Sequence, residues 1–166
     1  MHNTYFSSVC SQDNGDIPNV APRVTNGVHI DTVNFNRNAI ITAINKLKSN
    51  LASGPDGFPP LLFKVKRLCT CLAEPLSMMF NSFFSIHQVP REWSKAIVTP
   101  VFKSGSSCDV ANNRPISLTC VACKLMERVV ATRVLDYLRM QNLISKHQHG
   151  LLSRQSTVSN LLQGIC

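Results

Sequence analysis

Lys95-Ala96-Ile97-Val98-Thr99-Pro100-Val101-Phe102-Lys103 and, after residues 104–113, Arg114-Pro115-Ile116-Ser117-Leu118-Thr119 are the stretches that decide how this chain folds. Both are short, and the first is rich in β-branched and aromatic residues, which favour extended backbone. Between them lies a polar connector that opens with Ser104-Gly105-Ser106-Ser107. The pattern predicts two antiparallel strands, about residues 95–103 and 114–119, paired as a hairpin. Lys103 ends the first strand and Arg114 begins the second, so the two cations flank the connector. Like charges facing each other across strands cost about 0.2–1 kcal/mol. An anion between them turns that cost into attraction, because arginine grips phosphate with two donors and lysine adds a point charge. From spacing alone, two cations simply solvated beside a polar loop is slightly the better reading.

Helical patterns surround the hairpin. Asn36 is a good N-cap, and Ile40, Ala43, Ile44 and Leu47 follow at helical spacing. That helix must end before Ser53-Gly54-Pro55-Asp56-Gly57, where two glycines bracket a proline and an aspartate. Residues 60–86 read as one or two very apolar helices, broken or kinked at Pro75. Residues 122–140 form an amphipathic helix with Leu125, Met126, Val129, Val130, Val134, Leu135 and Leu138 on one side. A polar loop over residues 145–156 precedes a last helix that starts near Ser156 or Thr157. Residues 1–30 carry turn signals and no helical period, so residues 1–36 read as an irregular connector and residues 37–166 as the folded body. The expected class is α+β, mostly helical, with one short hairpin (about residues 95–119) packed among helices.

Composition narrows the function. With 166 residues, 44% of them hydrophobic, the chain can bury a core, and 16% charged is well below the roughly 25% of average soluble chains. The 17 Lys and Arg outnumber 9 Asp and Glu, for a net charge of +8. Residues 1–36 hold one cation and three anions, a net of −2, so residues 37–166 carry 16 cations against six anions, a net of +10. A basic body points to a polyanion, most often nucleic acid. One function class is therefore a non-specific RNA- or DNA-binding module without catalysis. No signal-peptide pattern and no run of roughly 18 apolar residues occurs, so an intracellular protein, nuclear or cytoplasmic, with no membrane partner is expected. The seven cysteines, odd in number and irregularly spaced, are expected to stay reduced.

Catalytic patterns are sparse. The nine carboxylates include no Asp-Asp or Asp-x-Asp, so two-metal phosphoryl chemistry has no local signature. Cys69-x-Cys71 and Cys120-x-x-Cys123 have enough thiols for zinc, but their apolar surroundings favour buried structural cysteine. His147-Gln148-His149 reads first as a polar connector. No nucleophile–base arrangement and no glycine-rich phosphate cradle is legible.

Taken in order, several boxes carry a resemblance. They are Gly54-Pro55-Asp56-Gly57, then Val89-Pro90-Arg91-Glu92-Trp93-Ser94-Lys95 running on through Lys103-Ser104-Gly105, then Asn113-Arg114-Pro115-Ile116-Ser117-Leu118-Thr119, Lys124-Leu125-Met126-Glu127 and Gln148-His149-Gly150. Together they resemble the reverse transcriptases of non-long-terminal-repeat retrotransposons of the jockey-like sort. The likeness runs over residues 37–166, and Tyr5-Phe6-Ser7-Ser8-Val9 resembles the connector before such polymerases. The resemblance implies the fingers, and the start of the palm, of a right-hand RNA-directed DNA polymerase. It implies that Lys103 and Arg114 approach the phosphates of an incoming deoxynucleotide triphosphate. It places Pro115, Ile116, Gln148 and Gly150 near the template. The parent enzyme's partners would be an RNA template, a DNA primer and deoxynucleotide triphosphates, and its cofactor Mg²⁺. Asn113 stands where the family usually has an aromatic ring, and Leu151 where it usually has phenylalanine. The family's catalytic aspartates lie downstream of the matched region. The expectation is thus a fragment with no metal-binding carboxylates, no catalytic residue and no cofactor of its own, inactive alone. A chain with no retained function and exposed apolar surfaces is the third reading.

Overall fold

The computed structural model describes residues 2–9, 15, 30, 32–48, 52–106, 108–145, 148, 158 and 161. The chain divides into two compact units, Met1–Val129 and Val130–Cys166. Among the described residues it is mostly helical with a two-stranded antiparallel sheet. That is the α+β class expected from the sequence.

The first unit is built on a helical core. Helix α2 (Arg37–Asn45) starts where Asn36 is extended and its side chain accepts the Ala39 N–H at 2.9 Å. That bond satisfies one of the donors every helix start leaves open. Ile40, Ala43 and Ile44 on α2 are buried, with Leu47 just beyond its end. Helix α3 (Pro60–Lys64) begins with proline, whose fixed φ suits a first helical position. The chain leaves helical geometry at Val65 (φ −60°, ψ 118°) and re-enters it in α4 (Lys66–Ser85). The break therefore falls at Val65, and Pro75, expected to interrupt this run, lies inside α4. The carbonyl that Pro75 leaves without its helical donor belongs to Cys71, which is exposed, so water can serve it.

Phe35, Ile40, Ile44, Phe80, Val121 and Leu125 are fully buried. Phe35 lies in extended chain before α2 and is held from α4. Its N–H donates to Asn81 Oδ1 at 3.4 Å, and Asn81 Nδ2 donates to its carbonyl at 3.4 Å and to Ser77 O at 2.9 Å. The Phe35 ring meets Phe80 and Phe84 edge-on, at 5.7 and 5.5 Å between centroids. Trp93 then stands edge-on to Phe80 (5.9 Å) and Phe83 (5.5 Å). Trp93 belongs to a short 3-10 helix, Arg91–Ser94, that leads straight into the hairpin. The aromatic chain therefore ties the root of the hairpin to the helical core.

Both long helices end in the same way. After α4, His87 takes a left-handed φ of 54° and Gln88 N–H reaches back to Phe83 O at 3.1 Å. After α5 (Val121–Met140), Asn142 takes φ 54° and Leu143 N–H reaches Leu138 O at 2.9 Å. These are Schellman stops, made here without glycine. The second stop belongs to the second unit, where Arg139 also pairs with Asp136 at 3.8 Å. Of the last helix expected near Ser156, Val158 and Leu161 are helical and the rest lies outside the described residues.

One helix was not expected. α1 (His2–Ser8) falls in the segment read as irregular, and its Phe6 is buried. Seven residues are too short to show a helical period, so only tertiary burial marks this helix.

Candidate nucleotide-phosphate site

Strands β1 (Ile97–Phe102) and β2 (Asn113–Leu118) pair antiparallel, with Thr99 opposite Ile116, Pro100 opposite Pro115, Val101 opposite Arg114 and Phe102 opposite Asn113. The ladder continues one step past β1, since Lys103 N–H donates to Asn112 O at 2.9 Å. Residues directly opposite share a face of the sheet, and side chains alternate along each strand. Thr99, Val101 and Lys103 therefore share a face with Ile116 and Arg114. Val98, Pro100 and Phe102 share the other with Ser117, Pro115 and Asn113. Lys103 and Arg114 become diagonal neighbours, a relation that spans about 7–8 Å in a sheet. Both are exposed, and a phosphate lying between them is within reach of both long side chains.

Pro115 and Ile116, read from the resemblance as neighbours of one template, fall on opposite faces by the same alternation. Ile116 joins the cations and is 44% exposed. Pro115 faces an open groove of about 770 Å³ that it lines with Val98 and Ser117 on the sheet and Phe6 and Val9 at the amino-terminal end. Gln148 belongs to the second unit, where its N–H donates to Ser145 O at 3.0 Å. Gly150 lies outside the described residues, as do His147 and His149.

The connector is more structured than a polar loop. Asp109 caps a short 3-10 helix, Val110–Asn112, by accepting the Ala111 N–H at 3.0 Å. Asn112 Nδ2 donates to Ser106 O at 2.9 Å, across Gly105, whose φ of 92° suits glycine. Asn113 donates through Nδ2 to Asp109 O at 3.3 Å. These amides fix the mouth of the hairpin, and so the spacing of Lys103 and Arg114. The cluster of Asn and Asp near a turn was a signal for this role, since such side chains bond local backbone.

The far end of the hairpin is braced by the Gly54–Gly57 turn, closed by Gly57 N–H to Gly54 O at 3.1 Å. Gly54 is pressed on the Thr119–Cys120 peptide, where a Cβ would stand 2.4 Å from Thr119 O. Beside this contact, Asp56, Glu92, Trp93, Lys95 and Cys120 line an open groove of about 320 Å³.

The implied Mg²⁺ chemistry needs converging carboxylates. Among the described residues no group of three or more His, Cys, Asp or Glu side chains is placed to hold a metal ion. Those residues therefore do not fit a two-metal seat. The same holds for zinc: Cys69, Cys120 and Cys123 are buried, whereas Cys71 is exposed. Burial, then the hydrogen bond and charge of Glu127, push the Cys123 thiol up to about 12. Among the described residues no helix is long and apolar enough to cross a membrane.

Comparison with known proteins defines a class. The chain is similar to RNA-directed DNA polymerases of mobile elements. It is 31% identical over 87 residues to the RNA-directed DNA polymerase from mobile element jockey of Drosophila melanogaster, matching 52% of this chain and 10% of that protein. From the same organism, it is 27% identical over 123 residues to the probable RNA-directed DNA polymerase from transposon BS, matching 74% of this chain and 13% of that protein. The corresponding polymerase from transposon X-element is 29% identical over 87 residues, again 52% of this chain and 10% of its own length. The chain thus spans about a tenth of the length of the curated relatives it matches. No protein-family model matches it.

Proposed function

We propose that this chain is a piece of a retrotransposon reverse transcriptase, and that its hairpin belongs to the fingers of the polymerase hand. Lys103 and Arg114 meet the triphosphate of an incoming deoxynucleotide, while Ile116 on the same face lies towards the templating base. The observation that supports this reading most is the register, which gives the two cations one exposed face. The parent enzyme copies an RNA template onto a DNA primer.

Nucleotide titration of the purified chain tests the cations. A hydrogen bond to a charged group contributes about 1.5–3 kcal/mol, so Lys103→Ala or Arg114→Ala should each weaken triphosphate binding about tenfold or more. Equal binding by wild type and both variants would remove these residues from the site. The basic body favours a second reading, a non-specific nucleic-acid binder. In that case each substitution should lower the salt slope of RNA binding by roughly 0.7–0.9 instead, as one phosphate contact is lost.

The 166-residue chain assayed alone on a primed RNA template with Mg²⁺ should incorporate no nucleotide above background. The reason is the dispersal of its carboxylates, which leaves the metals no seat among the described residues. Sustained primer extension would refute this.

A further inference from the structure

The Cys120–Cys123 pair has no part in the polymerase reading. Cys120 is the N-cap of α5, since its carbonyl accepts the Lys124 N–H at 3.2 Å. Its Sγ accepts the Cys123 N–H at 3.4 Å, so one thiol already leans over the backbone of the other. Residues three apart on a helical turn have Cα atoms about 5 Å apart, given the rise and radius of the helix. That lies inside the roughly 4.4–6.8 Å that a disulfide spans. Both cysteines are free. Their surroundings differ. Both are buried, Cys120 at 6% and Cys123 at 8% exposure, but Cys120 borders the open groove with Trp93, Lys95 and Asp56. Cys123 donates its S–H to Glu127 Oε1 at 3.4 Å.

We propose that Cys120 and Cys123 are a peroxide-sensitive thiol pair, in which Cys120 is oxidised first and Cys123 closes a disulfide onto it. Hydrogen peroxide is small enough for the groove. The Cys120 sulfur attacks one peroxide oxygen, the O–O bond breaks, and the released hydroxide leaves as water with the thiol proton. Cys120 is then a sulfenic acid. The Cys123 sulfur, turning from Glu127, attacks the Cys120 sulfur and the S–O bond breaks. The Cys123 proton, left with the Glu127 carboxylate as the sulfur turns away and passed on through solvent, ends on the departing hydroxide and gives a second water. Two thiols and one peroxide become one disulfide and two waters. Other neighbours do not match this arrangement: Cys69 and Cys71 are two apart within α4 and point in different directions.

The test is peptide mass spectrometry of the full chain after hydrogen peroxide, with dimedone to capture sulfenic acid. The wild type should lose two hydrogens from the peptide that holds Cys120 and Cys123, and dithiothreitol should restore them. Cys123→Ser should collect dimedone at Cys120, whereas Cys120→Ser should collect none at Cys123. Circular dichroism checks that both variants keep their helices. Should either fail to fold, brief exposure of the wild type decides, because dimedone must then appear at Cys120 before Cys123. Capture at Cys123 first overturns the proposal. So does oxidation of Cys71 or Cys108 while Cys120 and Cys123 stay reduced.

Discussion

Phe80→Ala should lower the stability of the first unit by about 3–5 kcal/mol, the usual cost of emptying a buried phenylalanine site. Phe80 is fully buried, with its ring edge-on to Phe35 on one side and Trp93 on the other. Its loss leaves a cavity that neighbours can close only by moving, because the Phe35 backbone is pinned by Asn81. A chain of this size loses roughly 2–4 °C of melting temperature per kcal/mol, so a drop of roughly 10 °C is expected. Trp93 is the chain's single tryptophan. Its fluorescence should shift to the red as water reaches the vacated space. Because Trp93 also stands at the root of β1, the substitution should loosen the hairpin mouth and weaken nucleotide binding, although Phe80 lies far from Lys103 in sequence. An unchanged melt together with unchanged Trp93 emission would mean that the aromatic chain does not anchor the hairpin.

Gly54→Ala is expected to cost close to the upper end of the about 1–3 kcal/mol typical of overpacking. The new methyl would lie 2.4 Å from Thr119 O and 2.8 Å from Cys120 N, both backbone atoms. Neither can swing aside as a side chain would. Thr119 and Cys120 join β2 to α5, so the strain is passed to the strand that carries Arg114. Gly57 is the control. Its φ is 71°, but a methyl there meets nothing within 4 Å. Gly57→Ala should cost only the left-handed conformational penalty, about 1–2 kcal/mol. Urea titration of both variants separates crowding from backbone strain. A smaller loss at Gly54 than at Gly57 would show that the loop can lift off the Thr119–Cys120 peptide freely.

What the sequence revealed was what local chemistry dictates. The Asn36 cap, the apolar stripe of α2 and the extent of α5 follow from short-range patterns, and the structure reproduces them within a few residues. The hairpin was legible for the same reason, but the sequence set Lys103 facing Arg114, whereas the register puts Val101 opposite Arg114 and Lys103 two residues further along the same face. Pro75 misled because a proline's cost depends on whether its orphaned carbonyl reaches water, which only the fold decides. The break at Val65 carries no breaker residue and had no local signal. The Asn81 clamp joins residues 46 apart, and the Gly54 contact joins a loop to a distant peptide. Both are tertiary, and no periodicity announces them. Within the candidate site, Lys103 and Arg114 were found from spacing and resemblance. Asp109, Asn112 and Asn113, which set the shape of the mouth, were passed over as loop.

α1 bears on how a shortened recombinant version would behave. Composition invites trimming to Asn36, which discards Phe6 together with the wall it gives to the groove at Val98, Pro115 and Ser117. The hairpin would then show water a second bare flank. Its strands are already exposed along β1, and bare apolar faces of this kind tend to associate. Poor solubility of such a shortened product would come from the missing amino-terminal shield, not from a faulty core.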